Sequence, residues 1–335
     1  MTKIRGWAAT GAKQALVPFE YDPGPLGPDD VEIAVEFCGI CHSDFSVIQN
    51  EWGISKYPVV LGHEAVGNVV ALGTQAKGLK VGQRVGIGWT AESCMFCRQC
   101  LGGDQHLCLK AQPTILGHHG GFADRMRAHW AWTIPLPDDI DMSSTGPLLC
   151  GGVTVFAPLA VFDVQPTAHV GIVGIGGLGH MGLKFARAWG CEVTAFTSSE
   201  SKAAEARSFG AHRIVSSRDP KAAAGTLDFL LITATASLDW SAYLAALKPN
   251  GRMHVVAGLT EPMGIPAFPL ILGQKRVSGS PTGSPTRLAS MLEFAARHKV
   301  APTVEHFPMK KVNEALAHLE AGKARYRIVL DADWK

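Results

Sequence analysis

A glycine-rich turn between an apolar segment and a helical pattern constrains the fold of this chain more than any other stretch. Residues 168–173 have the composition of a buried strand, and Gly174-Ile175-Gly176-Gly177-Leu178-Gly179 follows directly. A helical pattern then runs to about Trp189, and residues 192–196 resemble a second strand. A GxGxxG sequence alone is weak evidence, but the surrounding strand, helix and strand make it specific. This order predicts a βαβ unit in a parallel sheet.

The three glycines of this motif have separate physical roles. Gly174 allows a tight turn, Gly176 lets the backbone approach a pyrophosphate, and Gly179 lets the helix pack closely on the strand. Backbone N–H groups at the helix start, near Gly177 and Leu178, would bind the phosphates. We therefore predict a Rossmann-type, doubly wound dinucleotide-binding domain. The alternative is a glycine-rich turn without a ligand.

The end of the second strand indicates which dinucleotide is bound. An NAD site usually has Asp or Glu there, whereas this chain has Thr197-Ser198-Ser199 with Lys202 one turn later. Hydroxyl groups and a lysine favour a 2′-phosphate, so we predict NADP(H). Ser198 and Ser199 could also cap the next helix. A further cofactor contact is predicted at Gly258.

The whole chain has the length and composition of a two-domain globular protein. It has 335 residues, of which 47% are hydrophobic and 18% charged, and a formal net charge of +2. No long basic run is present, which argues against nucleic acid as a partner. The N-terminus lacks the apolar segment of a secretory signal, and no membrane partner is expected. We therefore expect a cytoplasmic, reducing compartment, where eight cysteines are metal ligands or buried thiols rather than disulfides.

The residues before about Pro147 form a β-rich pattern. Residues 31–37 alternate with period two, and residues 66–72 and 81–86 are similar. The parallel sheet continues with predicted strands at 229–233 and 253–258. A strand at 276–280 is predicted at the edge of this sheet, where it could pair across a homodimer. Helices near 287–299 and 311–321 and a strand at 326–330 return the chain to the first domain. The predicted domains are 1–147 with 285–335, and 148–284.

Four cysteines cluster within a lobe at about residues 91–112. Cys94, Cys97 and Cys100 form two CxxC steps, and Cys108 follows eight residues later. Short turns can direct all four thiolates to one ion, which predicts a closed tetrahedral zinc site with a structural role. Iron in a rubredoxin-like site has similar ligands, and buried free thiols are the remaining alternative.

A second metal site is predicted from residues that lie far apart in the chain. Cys41, in Gly39-Ile40-Cys41-His42-Ser43-Asp44, and His63, in Gly62-His63-Glu64 near a strand end, supply a thiolate and an imidazole. Cys150, at the junction between the two regions, is the best third ligand. Glu64 could act as an alternating ligand or as a group that supports the ligands without binding the metal. Three protein ligands with one open position are typical of catalytic zinc.

Other residues near this motif are assigned supporting roles. Asp44 is expected to accept a hydrogen bond from the His63 imidazole, and Ser43 lies close enough in sequence to donate a proton to a substrate oxygen. Trp52 and Trp89 are candidate apolar walls of the substrate pocket, with core packing as the alternative. Cys38 and Cys191 are interpreted as buried thiols.

Together, these motifs resemble those of zinc-dependent medium-chain alcohol dehydrogenases over nearly the full length. The chain is most similar to the cinnamyl-alcohol-dehydrogenase branch and its bacterial NADPH-dependent, broad-range aldehyde reductases. The resemblance implies a GroES-like catalytic domain beside the Rossmann domain, with catalytic zinc on Cys41, His63 and Cys150. It places His42 beside the pyrophosphate, Thr154 near the nicotinamide and Arg327 near the cofactor phosphates.

The implied activity is reversible reduction of aldehydes to primary alcohols, with NADPH as hydride donor and Ser43 as proton donor. Many relatives have a histidine five residues after the first zinc cysteine, where this chain has Ser46. The relay would then end through Ser46, a water molecule or the ribose hydroxyl. Two alternatives remain: a zinc polyol or secondary-alcohol dehydrogenase, and a non-catalytic NADPH-binding protein.

Overall fold

A computed structural model describes residues 3–259 and 261–334, and the chain divides into two compact units. Unit 1 comprises Met1–Val153 and Thr282–Lys335, and unit 2 comprises Thr154–Pro281. The predicted domain boundaries lie a few residues from these divisions. Cys150 consequently belongs to unit 1. Positions 1, 2, 260 and 335 of the predicted domains lie outside the described residues.

The described residues form short strands and helices, with most strands of unit 1 in consecutive runs and most strands of unit 2 separated by helices. In chain order the strands are β1 (Ile4–Ala9), β2 (Val17–Tyr21), β3 (Asp30–Ile40), β4 (Val59–Val60), β5 (Ala65–Leu72), β6 (Arg84–Ile87), β7 (Thr90–Glu92), β8 (Gln112–Pro113), β9 (Arg125–His129), β10 (Thr133–Pro135), β11 (His169–Val173), β12 (Glu192–Thr197), β13 (Arg213–Ser216), β14 (Leu227–Ile232), β15 (Leu247–Val255), β16 (Arg276–Gly279), β17 (Val304–Pro308) and β18 (Arg327–Asp331). The α-helices are α1 (His42–Gln49), α2 (Arg98–Leu101), α3 (Met142–Thr145), α4 (Gly151–Val161), α5 (Gly179–Trp189), α6 (Ala203–Ser208), α7 (Trp240–Ala246), α8 (Ala267–Gly273), α9 (Pro285–His298) and α10 (Val312–Glu320). Short 3₁₀ helices cover Gln105–Leu107, Trp130–Trp132, Gly146–Leu149, Glu200–Lys202, Pro220–Ala223 and Met309–Lys311.

Unit 1 is organised around the long strand β3. Its alternating residues Val31, Ile33 and Val35 are buried, as the period-two pattern predicts. β3 pairs with β5, β9 and β18, all antiparallel, in a seven-stranded sheet of order β10-β6-β5-β3-β18-β17 with β9 off this path. A three-stranded sheet, β2-β1-β4, and a β7-β8 pair complete the β-structure of the unit.

The C-terminal segment completes the sheet of unit 1. β18 pairs with the end of β3, with Ile328 opposite Ile40, and β17 pairs parallel to β18. Ile328 and Leu330 enter the same core cluster as Ile33 and Val35. The last strand therefore supports the end of β3, and α1 with the Cys41 motif follows directly from that end.

Unit 2 contains a six-stranded parallel sheet of order β13-β12-β11-β14-β15-β16. All five residues of β11 are buried, as a strand covered on both faces requires. β16 lies at the edge, as predicted. β13 was not predicted, because it has four residues of which only Val215 is buried, and so lacks an apolar run. The predicted fold class, a β-rich GroES-like part with a Rossmann-type parallel sheet, is confirmed.

No single helix among the described residues is long and apolar enough to cross a membrane. One pair bent by 59°, Met142–Leu149 with Gly151–Val161, meets the criterion of length and composition.

Candidate metal and cofactor sites

Unit 1 brings together the four residues that were predicted at the second metal site. One donor atom from each of Cys41, His63, Glu64 and Cys150 lies within 4.8 Å of the others. The Cys41 and Cys150 sulfurs are 3.9 Å apart. His63 Nε2 and Glu64 Oε2 are buried and have no hydrogen-bond partner among the described residues. Buried polar atoms without a partner are rare in proteins, so this pair indicates a binding position for a ligand.

Asp44 holds two parts of this cluster in place. It lies in the first turn of α1 and is fully buried. One carboxylate oxygen accepts the Cys41 amide at 2.9 Å, and the other accepts the Gly62 amide at 2.9 Å and lies 3.1 Å from His63 Nδ1. The predicted contact between Asp44 and His63 is therefore present. Because Nδ1 is engaged, Nε2 is the atom left to bind a metal.

Two glycines allow the chain to come this close. The Gly62-His63-Glu64 sequence lies in the turn between β4 and β5 rather than on a strand, and Gly62 has a φ of +95°. At Gly39 a Cβ atom would lie 2.0 Å from Glu64 Oε2. A side chain at Gly39 would displace the Glu64 carboxylate, so both glycines are requirements of the site.

Hydrogen bonds and burial within the cluster shift the pKa values of Cys41, Cys150 and His63. A hydrogen bond with Cys150 lowers the pKa of the Cys41 thiol well below its usual value. The same bond, together with burial, raises the pKa of Cys150 well above it. Burial lowers the pKa of His63, but the Asp44 carboxylate outweighs this effect and raises it overall. Thiolate and imidazole are the forms that bind metal, and binding would release the shared proton.

Arg327 lies in this cluster. Its guanidinium is buried and forms an ion pair with Glu64, although residue 327 was predicted near the cofactor phosphates. Within the part of the chain that the structure describes, its Nε has no hydrogen-bond partner, so one of its donors is unused. Burial raises the pKa of Glu64, and the Arg327 charge opposes that rise. Nothing in the sequence near either residue signalled this pairing.

One tryptophan contacts the His63 imidazole, and a second packs against the first. The Trp89 ring meets it edge-on at 5.1 Å between centroids, and Trp52 packs against Trp89 at 6.1 Å. Trp52 is 44% exposed, so its ring is not core packing. Ser43 lies next to the cluster, with its Oγ 3.9 Å from the Cys41 sulfur. An apolar wall and a hydroxyl therefore border the candidate metal position.

The four-cysteine lobe forms a second cluster in unit 1. The donor atoms of Cys94, Cys97, Cys100 and Cys108 lie within 4.8 Å of one another, and all four thiols are free of disulfides. Cys94 lies 3.9 Å from Cys100 and 3.5 Å from Cys108. Tetrahedral zinc with Zn–S bonds of about 2.3 Å separates its sulfurs by about 3.8 Å. Backbone hydrogen bonds, chiefly from Phe96, lower the pKa of Cys94 to about 6.

The glycine-rich motif of unit 2 has the geometry that was inferred from its sequence. Gly174 has a φ of +89°, and a Cβ at Gly179 would lie 1.8 Å from the Gly174 carbonyl oxygen. A Cβ at Gly176 or Gly258 would meet nothing within 4 Å, so the backbone is open there. Gly258 follows the end of β15 rather than lying on it. Gly177 and Leu178 precede α5 directly.

Of the predicted cofactor residues after β12, Lys202 contacts the same turn. Lys202 donates from Nζ to the Ile175 carbonyl at 3.3 Å, which puts its charge beside the glycine-rich turn. The Ser199 amide donates to Thr197 Oγ1 at 3.3 Å, and Ser199 Oγ bonds to Ser201. Among the other predicted cofactor contacts, His42 is exposed at the start of α1 in unit 1, and Thr154 is buried on α4. Cys38 and Cys191 are both buried, as expected.

Comparison with known proteins identifies the family. The alcohol dehydrogenase GroES-like domain matches residues 27–138, and the zinc-binding dehydrogenase domain matches residues 177–297. The aldehyde reductase AdhA of Synechocystis sp. is 52% identical over 330 residues, which cover 98% of both chains. The chain belongs to the zinc-dependent medium-chain alcohol dehydrogenases. Members of this family are oxidoreductases, and the resemblance drawn from the motifs is confirmed.

Solved structures of the family agree with this assignment. The cinnamyl alcohol dehydrogenase SbCAD4 of Sorghum bicolor has a TM-score of 0.94 and 40% identity, with 98% of each chain covered. The enzyme CAD of Helicobacter pylori, solved in complex with NADP(H), has a TM-score of 0.91 and 30% identity over 98% of each chain. Among named relatives, 8-hydroxygeraniol dehydrogenase of Catharanthus roseus is 40% identical and covers 98% of this chain and 95% of its own.

Proposed function

We propose that the protein is a zinc- and NADP(H)-dependent oxidoreductase that reversibly reduces aliphatic and aromatic aldehydes to primary alcohols. The observation that carries this proposal is the convergence of Cys41, His63, Glu64 and Cys150. No described residue hydrogen-bonds to His63 Nε2 or Glu64 Oε2. The 52% identity to an aldehyde reductase supports the substrate class.

The donor set fits zinc at both clusters. Two thiols, one imidazole and one carboxylate in the first cluster are a typical catalytic set, with Glu64 able to exchange between Arg327 and the metal. Four thiols in the second cluster form a closed set, which fits a structural ion. We therefore propose two zinc ions in unit 1 and assign the catalytic domain to this unit.

The chain's own residues would position the substrate and supply a proton. A zinc ion would supply Lewis acidity toward a carbonyl oxygen, and NADPH would supply the hydride. Asp44 fixes the imidazole of His63, and Trp89 with Trp52 provides an apolar wall for an aliphatic or aromatic body. We assign the transfer of a proton to the product oxygen to the Ser43 hydroxyl, and its Oγ position 3.9 Å from the Cys41 sulfur supports this role.

We assign NADP(H) to unit 2. Hydroxyl residues Ser198 and Ser199 follow β12, and Lys202 lies beside the glycine-rich turn. These groups can donate to a 2′-phosphate, whereas a carboxylate in their place would repel it. The relative solved with NADP(H) supports this assignment.

We also propose a homodimer that forms through the edge of unit 2. β16 is the edge strand, and the neighbouring helix α8 exposes Phe268 at 75%, Ile271 at 68% and Leu272 at 80%. An open strand edge beside exposed apolar side chains favours pairing with a second copy.

One assay tests the proposed function. NADPH and NADH oxidation would be compared over aldehydes of increasing chain length, with zinc measured on the same sample. We expect about two zinc ions per chain and a clear preference for NADPH over NADH. We also expect reduction of a linear aldehyde to be faster than oxidation of sorbitol, measured in the reverse direction. Equal rates with NADH would contradict the cofactor assignment. Preference for sorbitol would indicate a polyol dehydrogenase, and no oxidation by zinc-replete protein would indicate a non-catalytic protein.

A pair of variants tests the proposed role of Ser43 in proton transfer. Ser43→Ala should lower turnover by roughly 10²- to 10⁴-fold with zinc content unchanged, because the proton donor is lost. Ser290→Ala, on α9, should keep full turnover, since its hydroxyl donates to the Thr286 carbonyl of the same helix at 3.0 Å.

A further inference from the structure

Unit 2 contains a cavity of about 410 Å³ that no step of the proposed reaction uses. It is lined by the segment before β11 and by residues of β14, β15 and β16. The segment before β11 lies at the amino end of that strand, whereas the glycine-rich turn follows its carboxyl end. The five residues of β11, at roughly 3.3 Å each, separate the two ends by about 16 Å. The cavity is therefore distinct from the candidate dinucleotide site.

Two arginines stand side by side in the cavity lining. Arg252 on β15 is the register partner of Arg276 on β16 and of Phe229 on β14, so the three side chains share one face of the sheet. Neighbouring strands lie about 4.8 Å apart, which brings two positive charges close together. Burial and the Arg276 charge both lower the pKa of Arg252. The two guanidinium groups therefore repel each other when no anion is bound.

The carboxylates nearby do not neutralise this pair. Asp228 bonds to Lys248 at 2.8 Å and to the His169 amide at 2.8 Å. Asp163 also lines the cavity, from an exposed position. Within residues 3–259 and 261–334, neither arginine forms an ion pair with a carboxylate.

Arg252 is held in place by the protein itself. Its guanidinium stacks over Phe162 at 3.9 Å from the ring centroid, and Nη1 donates to Ser278 Oγ at 3.0 Å. A guanidinium has five N–H donors, so four remain available for a ligand. Because the side chain is already fixed, little conformational entropy is lost when a ligand binds.

We propose that this cavity binds a tetrahedral oxyanion, either inorganic phosphate or the phosphate group of a small ester, between Arg252 and Arg276. The fork-shaped donors of two adjacent guanidiniums match the oxygens of such a group. Binding relieves the repulsion between β15 and β16, and thus stabilises the edge of the parallel sheet.

Thermal unfolding of the full chain tests this site. Inorganic phosphate and glycerol 3-phosphate would be titrated against sodium chloride at equal ionic strength. We expect a saturable rise in Tm of about 2 °C at ten times the dissociation constant. Tighter binding of glycerol 3-phosphate would identify an ester as the ligand, and equal binding would identify free phosphate. A rise that matches sodium chloride and does not saturate would overturn the proposal.

Variants locate the effect at the arginine pair. Arg276→Gln and Arg252→Gln should each weaken phosphate binding about tenfold or more, because charge-assisted hydrogen bonds are lost. Arg213→Gln, an exposed arginine on β13 at the opposite edge of the sheet, is the matched control and should bind as the wild type does. Equal binding by Arg276→Gln and wild type would refute the assignment. Diffraction from crystals soaked in selenate should place the selenium peak between the two guanidiniums; a peak elsewhere would also refute it.

Discussion

At the scale of single residues, one buried carboxylate organises the candidate metal centre. Asp44 joins the start of α1 to the turn between β4 and β5, because its two oxygens bind the Cys41 amide, the Gly62 amide and the His63 ring. The contact with His63 could be predicted from spacing and chemistry. The two backbone contacts could not, since they depend on the path of the turn. The pairing of Glu64 with Arg327 was missed for a similar reason, because 263 residues separate them.

Replacement of Asp44 tests this organising role. In Asp44→Asn one acceptor oxygen becomes an NH₂ group, so a buried donor loses its acceptor and the His63 ring loses a charged partner. We expect zinc affinity of the catalytic site to fall by about 10- to 100-fold. Competition with a chelator of known affinity, read by zinc content, would measure the change.

The control for this variant is Asp124→Asn. Asp124 accepts from the Arg5 amide at 3.0 Å and from its guanidinium, outside the metal cluster. Its replacement should leave zinc affinity unchanged. Wild-type affinity in Asp44→Asn would show that the backbone alone positions the ligands.

At the scale of elements, apolar patterning predicted some strands well and others poorly. β11, β12 and β14 were found because buried parallel strands are short, continuous apolar runs. β2 and β13 have few buried residues, and their position is set by pairing with a neighbour rather than by their own composition. The cysteine spacing of the lobe, in contrast, was sufficient to predict that its four thiols converge.

β15 and β16 are also joined by a buried histidine. His254 Nδ1 lies 2.9 Å from Ser278 Oγ, and Nε2 lies 2.9 Å from Ser280 Oγ. Burial, and then the Arg252 charge, lowers the pKa of His254 to about 4. The unfolded chain, with a histidine pKa of about 6.5, binds a proton that the folded unit does not bind until about pH 4. Stability should therefore decrease as the pH falls from about 6.5 toward 4.

Hydrogen exchange of β15 and β16 amides would measure this dependence. Protection factors in wild type should decrease by up to about tenfold per pH unit over that range, which is one proton per unfolding event. His254→Gln should lose this part of the slope, whereas His298→Gln, at the end of α9 in unit 1, should keep it. Parallel slopes in wild type and His254→Gln would contradict the prediction.

At the scale of the whole molecule, the proposed dimer depends on surfaces that the sequence did not reveal. The edge position of β16 could be predicted from strand order, but α8 could not, since none of its residues is buried and it has no amphipathic signal of a core helix. We propose that a second chain covers its exposed apolar side chains. Amphipathic patterns in a sequence predict helices that bury one face against the core of the same chain. α8 has no such buried face, so its sequence did not predict it.

A charge on α8 should break the proposed dimer. Leu272→Glu would bury a carboxylate in the interface. We expect the dissociation constant of the dimer to increase by at least about 100-fold. Light scattering coupled to size-exclusion chromatography would report the change in mass. Leu109→Glu, on the four-cysteine lobe where Leu109 is 99% exposed, should leave the mass unchanged. A Leu272→Glu variant that keeps the wild-type mass would exclude α8 from the interface.

The order of the two units along the chain also affects how such a protein can evolve. Cys41, His63, Glu64 and Cys150 all precede Thr154, and unit 2 is one uninterrupted segment that ends at Pro281. A recombination event that replaced this segment would exchange the whole parallel-sheet unit and leave the four proposed metal ligands in their original context. The same boundaries offer protein engineers two splice points for altering coenzyme preference without redesigning the catalytic centre.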